Sequence, residues 1–76
     1  MRQKYLTALK MRYKSELEAA RINLEVYLNN TVGVADHPDI VGSMDQLVGK
    51  IAEAQDKFNV VNAEEHQENI YDWYTN

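Results

Sequence analysis

The chain of 76 residues contains no cysteine, a single proline and three glycines. Without cysteine it can form neither a disulfide nor a thiolate zinc site, and with only two histidines we expect no structural metal. It lacks the long apolar run that a membrane span needs and the apolar core of a signal peptide. A domain this short buries only a small core. We therefore expect it to be stabilised by oligomerisation or by docking on a larger partner.

Residues 3–30 carry the pattern of one long helix and contain neither glycine nor proline. Apolar residues recur at steps of three and four, which is the period of one helix face. This stripe consists of Leu6, Leu9, Tyr13, Leu17, Ala20, Leu24 and Tyr27/Leu28. The run of Asn29, Asn30 and Gly33 is predicted to end the helix, because Asn and Gly tolerate the left-handed conformation that closes a helix. A loop is expected over about 31–36.

A second helix is predicted over about 37–59. Its apolar seam alternates steps of four and three, as in a heptad repeat, with Val41 and Val48 widening it on one side. The seam consists of Ile40, Met44, Leu47, Ile51, Ala54, Phe58 and Val61. After Val61 the apolar phase breaks, and Asn62 with Glu65 three residues later is typical of a new helix start. We predict a short third helix over about 63–74, and the alternative is a continuous second helix with a stutter.

These elements predict one all-α domain over residues 1–76. Its fold is a long antiparallel two-helix hairpin with a short C-terminal helix. As an oligomer, the hairpin is expected to form a helical bundle.

The segment between the two helices groups Asp36, His37 and Asp39 around the only proline, Pro38. Two carboxylates beside an imidazole suit a metal site, but no further ligand is spaced to complete it. We therefore predict helix caps, with Asp36 as the N-cap. Asp39 is placed at the third helical position, where its negative charge interacts favourably with the positive end of the helix dipole.

Motifs that carry catalysis are absent from the sequence. It has no nucleophile elbow, no Gly-rich phosphate loop and no paired-carboxylate core. A two-helix hairpin also offers little room for a pocket. We expect a protein that is not an enzyme, with no catalytic residues, no cofactor and no metal.

A second set of apolar residues on the first helix lies roughly opposite the core stripe. This outer stripe consists of Ala8, Met11, Ala19, Ile22 and Val26. Gly42 and Gly49 lie on the second helix away from its seam, and the tail carries aromatic residues of the kind enriched in interface hot spots. Drift at exposed positions explains the stripe and the glycines equally well, and the tail can instead fold back on the hairpin. We predict partner-binding residues at Met11, Ile22, Val26, Gly42, Gly49, Ile70, Trp73 and Tyr74.

The charges are distributed unevenly along the chain. Residues 1–14 contain five basic residues and no acid, whereas residues 62–76 contain four acids and no base. In a hairpin these two ends face each other, so their charges are expected to pair. The alternative is a nucleic-acid contact through Lys10, Arg12 and Lys14, with tyrosines interleaved for stacking.

Residues 25–40, Glu25-Val-Tyr-Leu-Asn-Asn-Thr-Val-Gly-Val-Ala-Asp-His-Pro-Asp-Ile40, carry the most specific resemblance in the chain. With Met44-Asp45 and the stretch from Lys50 to Lys57, this segment resembles short helical proteins of contractile-tailed phages that infect cyanobacteria. The resemblance covers residues 5–60 and excludes the tail after Asn62. It implies a phage protein in the cytoplasm of an infected bacterium, and it carries over no site residue.

We therefore expect a small protein-interaction or structural protein. Its partners are expected to be further copies of itself, with a dimer favoured, or a host or virion protein. The alternative function is that of a nucleic-acid-binding accessory protein.

Overall fold

The computed structural model describes residues 1–29 and 39–66, which form two α-helices and no strand. Helix α1 spans Arg2–Asn29 and helix α2 spans Ile40–Glu65. The two helices pack against each other, and the side chain of Arg2 reaches Glu64 at the opposite end of the chain. The helices are therefore antiparallel, which confirms the predicted all-α hairpin.

The core of the hairpin is small. Its buried apolar residues are Leu17, Ala20, Ala54, Val61 and Ala63. Most other members of the two predicted stripes are only half-buried. The three alanines allow the helix backbones to approach closely but remove little apolar surface from water.

Some residues that we placed on or beside the core face are exposed. Leu28 is 57% exposed, and Val41 and Val48 are 75% and 51% exposed. A single neighbouring helix covers only the side chains along the line of contact, so residues on the flank of a stripe stay in water. The prediction that Val41 and Val48 widen the buried seam is therefore wrong.

Helix α1 ends at Asn29, one residue before the predicted position. The Asn29 side-chain amide donates to the backbone carbonyl of Glu25 at 3.1 Å and also to the Glu25 carboxylate. These bonds hold the Asn29 side chain against the last turn of α1. The expected loop begins beyond the described part of the chain.

Helix α2 begins three residues later than predicted, because Asp39 is its N-cap. Asp39 has non-helical dihedral angles (φ −135°, ψ 83°), and its Oδ1 accepts a hydrogen bond from the Gly42 amide at 2.8 Å. Its backbone carbonyl accepts from the Ser43 amide at 3.1 Å and from the Ser43 hydroxyl at 3.0 Å. The placement of Asp39 at the third helical position is therefore wrong. Asp36, which we predicted as the cap, lies outside the described residues.

Helix α2 also continues past the break that we predicted after residue 59. Asn59, Val60 and Asn62 are poor helix formers, but Val61 is buried against the core. The Gln55 amide donates to the Asn59 side chain at 3.0 Å, and the seam continues to Glu65. The start of a new helix at Asn62 is therefore wrong, and the continuous alternative holds as far as Glu65. The rest of the predicted third helix falls outside the described residues.

Candidate interaction surfaces

The open end of the hairpin joins the basic start of α1 to the acidic end of α2. The Arg2 guanidinium donates to the Glu64 backbone carbonyl at 2.8 Å and lies 3.6 Å from its carboxylate. The carbonyl belongs to the last turn of α2, where the regular i+4 donors of a helix run out, and the His66 amide at the C-cap is also directed at it. Arg2 therefore caps α2 from the neighbouring helix.

Glu65 occupies a seam position of α2, and it is a polar member of the helix contact. Its carboxylate accepts from Lys10 Nζ at 2.9 Å and from the Gln3 amide at 2.8 Å. The hydrogen bond from Lys10, followed by the one from Gln3, holds the pKa of Glu65 below its ordinary value. The loss of apolar residues after Val61 predicts a new element. Instead the helix continues, and its contact face changes from apolar to charged side chains. The signal for this pairing was available, since Lys10 falls on the same face of α1 as Leu6 and Leu17.

Two lysines reach across the hairpin in opposite directions. Lys10 of α1 lies over the Phe58 ring at 5.6 Å from its centre, and Lys57 of α2 lies over the Tyr13 ring at 5.7 Å. Each cation is attracted to the negative face of the ring, and its hydrocarbon stem covers apolar surface. The two contacts fix the relative position of the helices along their axes.

Two of the three residues of the predicted nucleic-acid patch are paired with carboxylates. Lys10 is bound to Glu65, and Arg12 Nε lies 3.3 Å from a Glu16 carboxylate oxygen one turn later. Lys14 is exposed. A cation already bound to a carboxylate must give up that partner before it binds a phosphate, so this arrangement disfavours a nucleic-acid contact at Lys10 and Arg12.

A groove of about 440 Å³ runs between the helices beside Ala20 and Ala54. Its rim carries Glu53 and Lys57, which form an ion pair at 2.8 Å. Their hydrogen bond lowers the pKa of Glu53 and raises that of Lys57. Glu53 and Lys57 thus neutralise each other, and Glu16 and Lys50 also line the groove. Within residues 1–29 and 39–66, no three metal-ligating side chains come together.

The outer stripe lies on the side of α1 that faces away from α2. Met11, Ile22 and Val26 are 68%, 63% and 45% exposed, and Ala8 and Ala19 of the same stripe are exposed as well. Single exposed apolar residues are common on proteins. A row of them at helical spacing over about 27 Å of one helix face forms an apolar stripe, which Ser15 interrupts near its centre.

The two glycines predicted as interface residues differ in their surroundings. A methyl group on Gly42 would overlap the Asp39 carboxylate, so this glycine provides the space that the helix cap occupies. A methyl group on Gly49 would meet no atom within 4 Å. Gly42 therefore serves the N-terminal cap of α2, whereas Gly49 lies beside open space. The predicted tail residues Ile70, Trp73 and Tyr74 lie outside the described residues.

Neither α1 nor α2 is long and apolar enough to cross a membrane. No family model matches the chain, and no match is found among curated proteins or among solved structures.

Proposed function

We propose that this chain is a small non-enzymatic interaction protein that binds other protein chains through the outer stripe of α1. The observation that carries the proposal is the exposure of Met11, Ile22 and Val26 in one row. A helix with apolar residues on two opposite sides gains stability when both sides are buried. Helix α2 covers only one of them.

The small core of the hairpin supports the same proposal. Among the described residues, three of the five buried apolar side chains are alanines. Burying apolar surface contributes roughly 25 cal/mol per Å², so a core of this composition contributes little for its length. Contact through the outer stripe adds apolar burial that the hairpin alone lacks.

The resemblance to cyanophage proteins extends the proposal to the setting in which the protein acts. In that setting the protein works in the cytoplasm of an infected bacterium, where it binds a host or virion protein, copies of itself, or both. The alternative of a nucleic-acid accessory is not proposed, because carboxylates occupy Lys10 and Arg12.

The test is affinity capture from infected cyanobacterial lysate with three forms of the tagged chain. They are the wild type, Ile22→Glu on the outer stripe, and Val48→Glu at an exposed apolar residue of α2. We expect the wild type and Val48→Glu to retain the same proteins, untagged copies of the chain included. We expect Ile22→Glu to lose them while its helical circular dichroism stays unchanged. Equal retention by all three forms, or no retention by the wild type, contradicts the proposal.

A further inference from the structure

We propose that the outer stripe binds a second copy of this chain, with the two α1 helices antiparallel and crossing at Ser15. The inference rests on the proposed function and names the partner and its orientation. Ser15 is exposed on the same side of α1 as the outer stripe. In sequence it is the midpoint between Ala8 and Ile22, and also between Met11 and Ala19.

The sizes of the stripe residues fit this arrangement. Both helices rise by the same distance per residue, about 1.5 Å. With a two-fold axis at Ser15, a residue that follows Ser15 in one copy is therefore level with the residue that precedes Ser15 by the same number of positions in the other, so the two residue numbers add up to 30. Ile22 of one copy then lies level with Ala8 of the other, and Met11 lies level with Ala19. In these two layers a large side chain meets a small one, as interdigitating helices require, and Val26 lies level with Lys4.

The charges beside the stripe fit the same axis. Lys4 lies in line with the start of the outer stripe, and along the flank beside the stripe the exposed residues Lys14, Glu18 and Glu25 follow, with Arg21 farther round the helix. In an antiparallel pair the same flanks of the two helices adjoin. Lys14 of one copy then lies within about a turn of Glu18 of the other, and Lys4 lies near Glu25. Opposite charges meet at both ends of the contact.

A parallel pair lacks these features. It would place Ala8 level with Ala8 and Ile22 level with Ile22, and the charged flank of one helix would adjoin the opposite flank of the other. The first pairing leaves a gap and the second crowds two large side chains. The residue pattern is therefore complementary to itself only when the second copy is reversed, and this self-complementarity selects a copy of the chain over an unrelated partner.

Single cysteines test the orientation, because the chain has none of its own. Under oxidised glutathione, Ser15→Cys is expected to form a disulfide-linked dimer in more than half of the protein. Facing helices 8–10 Å apart bring the two Cα atoms on the axis within disulfide range. Ala8→Cys alone is expected to stay unlinked, because its two copies lie about 21 Å apart along the axis. An equimolar mixture of Ala8→Cys and Ile22→Cys is expected to link.

Asp45→Cys, at an exposed position of α2, gives the background of collisional linking. Linking of Ser15→Cys at that background level overturns the proposal. Linking of Ala8→Cys alone at the Ser15→Cys level overturns the antiparallel arrangement. Light scattering of the purified wild type is expected to give about twice the 8.8 kDa of one chain, and a monomer mass overturns self-pairing. The capture experiment still tests the proposed function in that case, so the two failures are distinguishable.

Exchange of charges tests the flank independently of thiol chemistry. Lys14→Glu and Glu18→Lys each place like charges opposite one another, so each variant alone is expected to dimerise several-fold more weakly. Mixed together, the two variants restore both pairs in the heterodimer, and the mixture is expected to dimerise as the wild type does. A mixture as weak as its components contradicts the flank contacts.

Discussion

Asp39 and Gly42 are coupled at the start of α2. The Asp39 Oδ1 accepts a hydrogen bond from the Gly42 backbone N–H, with 2.8 Å between nitrogen and oxygen. The same carboxylate occupies the space where a side chain at Gly42 would project. The cap and the glycine therefore depend on each other. The sequence predicted an aspartate cap in this segment but placed it on Asp36. Two aspartates three residues apart both fit capping patterns, and the choice depends on backbone conformation that no local pattern determines.

Alanine substitutions test this coupling. Asp39→Ala is expected to lower the free energy of unfolding by about 1 kcal/mol through loss of the cap. Gly42→Ala in the wild type is expected to be nearly neutral, because the gain in helix propensity of about 1 kcal/mol is offset by displacement of the Asp39 carboxylate. In the Asp39→Ala background the same substitution is expected to stabilise by about 1 kcal/mol. Urea denaturation at fixed protein concentration measures all three.

Gly49→Ala is the matched control for the glycine, and Asp45→Ala is the control for the aspartate. Gly49 has open space around it, so Gly49→Ala is expected to stabilise by about 1 kcal/mol. Asp45 is exposed and outside the first turn of α2, and its loss is expected to change little. An equal gain from Gly42→Ala with and without Asp39 contradicts the coupling.

At the scale of the helices, the charges at the ends favour the pair over either helix alone. The first turn of α1 contains no acid and the last turn of α2 contains no base. Each arrangement opposes the dipole of its own helix. In the hairpin, Arg2 and Lys10 of α1 meet Glu64 and Glu65 of α2. The end charges therefore lower the stability of each separate helix and favour the antiparallel pair.

Acid is expected to weaken this end of the hairpin. Hydrogen bonds from Lys10 and Gln3 lower the pKa of Glu65 in the folded chain. A lowered folded pKa contributes stability that is complete above the unfolded value and is lost as the pH falls through the folded one. The ordinary value here is 4.5, so we expect the melting temperature to fall as the pH drops below about 4.5. In Glu65→Gln this fall is expected to be smaller, and the melting temperature at pH 7 to be lower.

Glu64→Gln is the control for that experiment, because the Arg2–Glu64 carboxylate pair is longer at 3.6 Å and both side chains are more than half exposed. Its pH profile is expected to follow the wild type closely. A Glu65→Gln profile as steep as that of the wild type would show that Lys10 and Gln3 do not stabilise the ionised form.

The existence of both helices was predictable, and their limits were less so. Periodicity of Leu6, Leu17 and Leu24 is a local property of the sequence, and it identified the core face of α1. The end of α2 depends on contacts between residues more than 50 positions apart, such as Lys10 with Glu65. The weak helix formers at 59–62 predict a break, but the packing of Val61 outweighs their low helix propensity. The outer stripe was predictable because exposed and buried faces share the same helical period.

At the scale of the whole molecule, folding and assembly are expected to be linked. The hairpin has a small core, and the proposed contact between two outer stripes buries apolar surface that an isolated chain exposes. A dimer that unfolds to two separate chains is stabilised by mass action as concentration rises. Each tenfold increase is worth about 1.4 kcal/mol, which corresponds to a few degrees in melting temperature for a protein of this size.

We therefore expect the melting temperature of the wild type to rise by a few degrees for each tenfold increase in protein concentration. Ile22→Glu is expected to melt at a lower temperature that does not change with concentration, because a charge in the stripe prevents pairing. Val48→Glu, which adds the same charge outside the stripe, is expected to keep the dependence of the wild type. Thermal melts by circular dichroism over a hundredfold concentration range measure this. A wild-type melting temperature that stays constant over that range would mean that the hairpin folds without its second copy.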